Sequence, residues 1–397
     1  MLIARRRTVD EDVFAHVHSS DVERASDWRY LAEGACSVVV RHAQSGAVLR
    51  VPKSDDAPRR VATAPPLHTA DAFLDLLVAH LRPGQYAVAR RHVQLSHAFC
   101  VALDAAIHSA RPRTRQHRRL DAAHGSSCAT LLPDMTCVPN GVADVLCVEL
   151  KPKWCFVPAA DAVDHPLKAR VCRFCMHQRL KLADGDIDRI SDFCPLDLAS
   201  SDARRVHRAL AALLRTPQNN LRLFFNGAPL GAVDEQVAQK LVDDADGESL
   251  LPSVASAVRA VCGSECEPRA ALLEVVADAL LESEVLSHIR QVQLLGGGDV
   301  SALKRRRDDA ALLDEFLTSA VLKDCSVMLS LCRDKGGGEL PESFVALASG
   351  RGVAVRVAIV DLEQKSAGNV DKYCELDERI VRHCEKLEEM KEKRCRE

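Results

Sequence analysis

The chain has 397 residues, 47% of them apolar and 27% charged, with a net charge of −3. That length is too great for one small core and predicts two lobes, drawn here at residues 1–135 and 136–397. A near-neutral balance excludes a generic polyanion binder with a wholly basic surface, and 4% aromatic residues leave little for stacking nucleic-acid bases, so any polyanion site must be local.

The start, Met1 to Thr8, has no apolar h-region, and no run of roughly 18 apolar residues follows, so neither a secretory leader nor a membrane span is expected. The 16 scattered cysteines then read as free thiols in a reducing cytoplasmic or nuclear setting. Residues 28–53 read as a β-hairpin, with strands in 38–44 and 47–51 and a Ser45-Gly46 turn. The small residues Gly34, Ala35, Cys36 and Ser37 ahead of it let backbone N–H groups approach phosphate oxygens. Arg50, one strand later, can clamp the same phosphates; an ordinary turn with a surface arginine is the plain alternative. Thr69 to Leu81 has the pattern of an amphipathic helix capped by Thr69 and stopped by Pro83-Gly84. Arg111 to Arg119 is a basic stretch, either an exposed loop or, through Arg111, part of an anion site. Leu131 to Met135 reads as the crossing between the lobes.

The most informative stretch is Val145 to Trp154, an apolar strand ending in Glu149, Lys151 and Lys153. Side chains two apart on a strand share a face, which puts the two lysines roughly 6–7 Å apart. About twenty residues later Arg173, His177 and Lys181 recur every four residues, one above another on a helix. A column of like charges costs a few tenths of a kcal/mol per pair unless an anion compensates it. Two such cationic rows suggest a ligand carrying many negative groups. Cys172, Cys175, Cys194, Cys262 and Cys266 raise zinc, but Cys172 and Cys175 share that helix, an awkward place for a closed cage, and the sequence disfavours the metal.

Helices are expected over 201–216, across most of 233–262, over 268–295 and over 310–322, with a polar turn at Gln218-Asn219-Asn220 feeding a strand that carries Arg222. Lys304 to Arg307 is a solvated basic loop or a nuclear signal. Asp324 precedes one strand, and Asp361 ends another, Val353 to Val360. If the chain turns helical there, Asp361, Lys365, Asn369 and Tyr373 form one stripe. A carboxylate at a strand end beside phosphate-binding lysines is a Mg²⁺ position in phosphoryl transfer; a helix-entry cap is the competing view. Residues 371–397 read as a charged helix that frays.

Glu149-Leu150-Lys151-Pro152-Lys153, Arg173 to Lys181, Cys194 to Leu198, Gln218 to Arg222, Lys323 to Ser326, Asp361 to Lys365 and Tyr373 to Asp377 together resemble the inositol-pentakisphosphate 2-kinase family, in family order. The resemblance implies an α/β (α+β) kinase with a smaller N-lobe and a larger mixed C-lobe. It implies transfer of the ATP γ-phosphate to the 2-hydroxyl of inositol 1,3,4,5,6-pentakisphosphate. A non-catalytic inositol-phosphate-binding scaffold is the alternative. By position, Gly34, Ala35, Cys36, Ser37, Arg50, Glu149, Lys151, Arg222 and Asp361 would hold ATP and Mg²⁺. Arg111, Lys153, Arg173, His177, Lys181, Asn219, Lys365 and Tyr373 would hold inositol phosphates. Asp324 would orient or deprotonate the hydroxyl, act with Lys151 and Asp361 in catalysis, and join Asp361 near the metal. A monomer without membrane or nucleic-acid partners is expected. Three departures stand out. Ala32 replaces the first glycine of the usual Gly-Glu-Gly loop, and Asn369 replaces an arginine of some members. Residues 270–320 lack the cysteines of the plant-type zinc site.

Overall fold

The computed structural model describes residues 24–34, 37–42, 45–53, 88–120 without 89, 126–138, 143–233, 239–243, 248–334 and 340–395 without 342, with scattered residues from 73 to 86 and residue 246. Ala35 and Cys36 therefore lie outside the described residues, as does Thr69.

Two antiparallel sheets organise the chain. The first contains β1 (Trp28–Glu33), β2 (Ser37–His42), β3 (Ala47–Pro52), β4 (Arg91–Ser96) and β5 (Ser126–Pro133), in the order β1-β2-β3-β5-β4. Alternation in β3 sends Ala47, Leu49 and Val51 into a core with Trp28, Val38 and Val40, and turns Val48 and Arg50 to the opposite face. Helix α1 (His97–Ile107), capped by the Ser96 hydroxyl, closes that core with Phe99, Leu103 and Ile107.

The second sheet is built on β6 (Val145–Leu150), β7 (Leu221–Phe225), β8 (Ser326–Arg333) and β9 (Val353–Val360), with two-residue edge strands at Ala228–Pro229 and Val345–Ala346. One face carries Leu146, Val148, Leu150, Leu223, Val327 and Leu329. It packs on α3 (Ala203–Arg215), α4 (Pro252–Cys262) and α5 (Pro268–Ser283), which supply Leu210, Val258 and Val276 to this core. Helix α2 (Arg173–Asp184) instead lies over α8 (Val370–Cys384), sharing Met176, Leu180 and Ile380. Two further helices, α6 (Val285–Gln293) and α7 (Ala310–Leu322), lie between α5 and α8 in sequence. The opposite face of the sheet presents Glu149, Phe224 and Met328 toward the first sheet.

Several expectations change. The residues described within 73–80 are helical as the periodicity predicts, yet Phe73, Leu77 and Leu81 pack in the core of the second sheet, not of the first. Among the described residues of 233–262, helix is confined to Pro252–Cys262, and a two-residue ribbon, Ala232–Val233 with Gln239–Lys240, precedes it. Asp361 caps no helix. It adopts a left-handed φ of 64°, the chain stays irregular until a 3₁₀ turn at Ala367–Asn369, and α8 begins only at Val370. The four-residue stripe from Asp361 to Tyr373 therefore does not form. Cys172 is the N-cap of α2 and lies outside its body, which removes the objection to a cage there. No helix among the described residues is long and apolar enough to cross a membrane.

Candidate active site

A cleft of about 1080 Å³ lies between the two sheets. Its roof comes from Gly34, Ser37, Val39, Val48 and Arg50, and its floor from Glu149, Lys151, Arg222, Phe224, Met328 and Asp361. Pro133 to Thr136 line its back as the chain passes from the first sheet toward the second.

The floor follows from strand register. Glu149 stands directly opposite Arg222 on one side and Met328 on the other, so all three share the cleft face. The Glu149–Arg222 ion pair spans 3.9 Å. Ser326 donates to Glu149 Oε1 at 2.9 Å and reaches Asp361 Oδ2 at 3.4 Å. Arg50 crosses from the roof: its Nη1 meets Asp361 Oδ1 at 2.5 Å and its Nε lies 2.8 Å from Glu363 Oε1. Lys151 Nζ is 3.5 Å from Asp361 Oδ2. Burial pushes the Asp361 carboxyl up, but Arg50 and Lys151 outweigh it and hold the group below the usual carboxylate range.

A second cluster of lysines around a carboxylate adjoins the first. Strand β6 ends at Leu150 and Lys153 takes a left-handed φ of 58°, so the two lysines diverge instead of pointing together as strand alternation predicts. Lys151 serves Asp361, while Lys153 Nζ sits 3.8 Å from Asp324 Oδ1, and Lys365 Nζ reaches Asp324 Oδ2 at 3.3 Å. Burial raises the Asp324 carboxyl, yet Lys153, Lys365 and Lys151 together bring it below its ordinary value. Burial also lowers Lys153 to about 8, with Asp324 opposing and Lys151 and Lys181 assisting. Lys181 and Asn219 line the same cleft. The turn bearing Asn219 is fixed by the Lys151 N–H, which donates to Asn220 O at 2.9 Å.

Other residues singled out by sequence stand further back. Arg173 donates to the buried Asp377, which also accepts from Lys168 Nζ at 2.8 Å, and its guanidinium lies 5.1 Å from the centre of the Trp154 ring. Lys323 also lies 4.3 Å from the centre of that ring, and the two cations brace the turn after Lys153. His177 is lowered to about 3, first by burial and then by Lys181, Arg173 and Lys153, so it is a neutral donor in the cationic row at pH 7. Tyr373 packs against Phe316 and is raised by burial and by the nearby Asp324 charge.

Arg111 is a correction. Its side chain has 0% exposure and pairs with Glu33 Oε2 at 3.1 Å and Asp104 Oδ1 at 3.0 Å, so it does not line the cleft. Arg115, four residues on, does, and it donates to the Glu33 carbonyl. Lys53 also pairs with Glu33 and donates to Gly34 O at 2.8 Å. Sequence reasoning missed Lys53, Arg115, Ser326 and Glu363. Arg115 lay within the basic stretch Arg111 to Arg119, and Ser326 and Glu363 within the blocks Lys323 to Ser326 and Asp361 to Lys365, but none was singled out, and Lys53 carried no signal. The basic run Lys304 to Arg307 is engaged locally, with acids or carbonyls for Lys304, Arg305, Arg306 and Arg307.

A family profile described as inositol-pentakisphosphate 2-kinase matches residues 30–379. The chain belongs to that family. A zebrafish inositol-pentakisphosphate 2-kinase is 35% identical over 225 residues, covering 54% of this chain and 46% of its own length. An Arabidopsis thaliana inositol-pentakisphosphate 2-kinase is 26% identical, covering 90% of this chain and 93% of its own length. A Drosophila melanogaster protein of the same name is 54% identical over 55 residues, which is 14% of this chain. As an inositol-pentakisphosphate 2-kinase family member the chain departs at Ala32, but Ala32 sits within β1 opposite Val39, next to a bulge, where no glycine is needed. Asn369 closes the 3₁₀ turn ahead of α8.

Proposed function

We propose that this chain transfers the γ-phosphoryl group of ATP to the 2-hydroxyl of inositol 1,3,4,5,6-pentakisphosphate, giving the hexakisphosphate. The observation that carries the reading is the pairing of two carboxylates, Asp361 and Asp324, each flanked by its own cations in one cleft. Phosphoryl transfer needs positioning and charge neutralisation more than covalent chemistry. The apolar roof and floor at Val39, Val48, Phe224 and Met328 suit a purine, and Arg50, Lys151 and Gly34 suit its phosphates. Lys153, Lys181 and Lys365 offer separate cations to the phosphates of one inositol ring, with Asp324 paired to both Lys153 and Lys365. Asp324 is ionised at neutral pH, accepts the hydrogen bond of the attacking hydroxyl and takes its proton as the bond to phosphorus forms.

The oxygen donors of Asp361, Glu149 and Ser326 converge, which fits a hard divalent cation such as Mg²⁺. Asp361 would hold it, with Asp324 adjacent, and when bound it would neutralise charge on the transferring phosphates. Arg50 and Lys151 share Asp361 and retain the nucleotide's oxygens on either side. The scaffold alternative rested on Ala32; that residue needs no glycine geometry, and Glu33-Gly34 is anchored by Lys53 and Arg115.

Incubation with inositol pentakisphosphate and labelled ATP tests the reading. Asp324→Ala should lower turnover by about 10²–10⁴, the usual loss for a general base, with ATP affinity preserved. Turnover near the parent rate removes Asp324 from the reaction, and binding without transfer by the parent chain leaves only the scaffold.

A further inference from the structure

The ladder between β6 and β8 ends at the Leu150–Val327 pair, just short of Lys153 and Asp324. Among the described residues no backbone hydrogen bond joins 151–156 to 322–325. Yet Lys153 Nζ and Asp324 Oδ1 meet at 3.8 Å, so the two backbones are held by something other than the sheet. The side chain that spans them is Gln293, the last residue of α6, with 0% exposure. Its Oε1 accepts from the Cys155 N–H at 2.8 Å, and its Nε2 donates to Lys153 O and to Leu322 O, both at 2.7 Å. Leu322 ends α7, two positions before Asp324. One amide thus ties the backbone of the lysine to the backbone that delivers the carboxylate.

The chemistry of the position demands an amide. One backbone N–H faces its oxygen and two carbonyls face its nitrogen, which fixes the orientation and uses both hydrogens. Leu322 O belongs to the set of carbonyls that a helix C-terminus leaves without an intrahelical partner. Cys325 Sγ reaches it at 3.3 Å and Cys155 Sγ lies 3.8 Å from Lys153 O, but thiols are weak donors, so the amide is the principal partner of both carbonyls. Gln293 is itself held. Ser319 of α7 donates to its carbonyl at 2.7 Å. A Cβ added at Gly298, where φ is 71°, would lie 3.2 Å from that carbonyl and 2.6 Å from the Phe156 ring. Lys323 Nζ donates to Gly298 O at 2.6 Å and closes the same knot from the Asp324 side.

We infer that Gln293 is a positioning residue for phosphoryl transfer, setting the separation of Lys153 and Asp324 through their backbones. The inference rests on the roles proposed for those two residues and adds one that touches neither substrate. Asp324 has to come within about 2.6–3.2 Å of the attacking hydroxyl while Lys153 holds a phosphate of the same ring. A shift of about 1 Å between the two backbones is worth roughly 10²-fold in rate. The nucleotide side does not hang on this amide: Glu149 and Arg222 are fixed by the β6–β7 ladder, and Arg50 comes from the first sheet.

Two variants of the full chain test it. Gln293→Glu keeps the shape but, ionised, donates to neither carbonyl, and Gln293→Met removes every polar atom. Both should lower kcat by about 10²-fold. Calorimetry with inositol pentakisphosphate alone should show binding weakened by about tenfold, as for a misplaced charge-assisted contact. The ATP Kd should stay at the parent value, which also reports a folded chain. A variant with a lower melting temperature but parent kcat and parent affinities makes Gln293 a core residue only and overturns the inference. So does an equal fall in both affinities. Failure of the proposed reaction reads differently: a parent chain that binds both ligands without transfer removes the reaction, while selective loss of pentakisphosphate binding in Gln293→Glu still supports Gln293 as the residue that places Lys153.

Discussion

Among single residues, Lys153 makes the sharpest prediction. Its ammonium is lowered to about 8 by burial, so it is charged below that pH and neutral above it. An anionic ligand meets a cation only in the protonated form, so kcat/KM for the inositol phosphate should descend as pH rises through about 8. That ratio reports the free enzyme, where the lowered value applies. Lys153→Arg keeps its charge throughout, and the descending limb should move to higher pH even if the rate falls. An unmoved limb in that variant assigns the titration elsewhere. Arg111 makes a different prediction from the one its sequence context invites. Arg111→Ala would leave Glu33 and Asp104 short of a buried partner and should destabilise the chain by about 3–5 kcal/mol, read by chemical denaturation. A fully stable variant with selectively lost inositol-phosphate binding would return Arg111 to the ligand. The sequence could not separate these outcomes, because a buried triad joining residues 33, 104 and 111 leaves no local pattern. The neutrality of His177 was equally invisible, since it arises from burial and from Lys153 as well as from its own helix.

At the level of elements, local spacing was a reliable guide wherever one helix or strand decided the geometry. The four-residue recurrence in α2 placed Arg173, His177 and Lys181 in one row, and alternation in β6 set Glu149 on the cleft face. It failed where backbone turns intervene. The left-handed residues Lys153 and Asp361 redirect their side chains in ways no periodicity anticipates. Residues 233–262 were read as mainly helical because their apolar content suits either state, and at Ala232–Val233 and Gln239–Lys240 tertiary pairing chose a ribbon. The row on α2 divides its labour by depth. Arg173 is committed to Asp377 and Trp154, whereas Lys181 reaches the cleft and has no acid partner among the described residues. Lys181→Ala should therefore weaken inositol-phosphate binding by roughly 1.5–3 kcal/mol, the worth of a charge-assisted hydrogen bond, and leave ATP affinity unchanged. Titration calorimetry with each ligand alone measures both, and equal losses would place Lys181 at the nucleotide instead.

Taken across the whole molecule, the proposed function divides the cleft between the halves by ligand. Lys153, Lys181, Asn219, Asp324 and Lys365, the residues proposed for the inositol phosphate, all follow β6 and so belong to the second half alone. The nucleotide corner is composite: Arg50 comes from the first sheet and grips Asp361 and Glu363 of the second. These ion pairs bridge the cleft from roof to floor, and anionic phosphates entering beneath Gly34 would compete with both carboxylates for the Arg50 guanidinium. Arg50→Met keeps most of the apolar stem while removing the fork. It should raise the ATP KM by at least about tenfold, the equivalent of ~1.4 kcal/mol. Inositol-phosphate affinity measured without nucleotide should stay at the parent value, because the residues proposed to hold it all lie after β6. If that affinity fell in step with ATP binding, the inositol-phosphate corner would depend on the first sheet, and the division of the cleft between the two halves would be wrong.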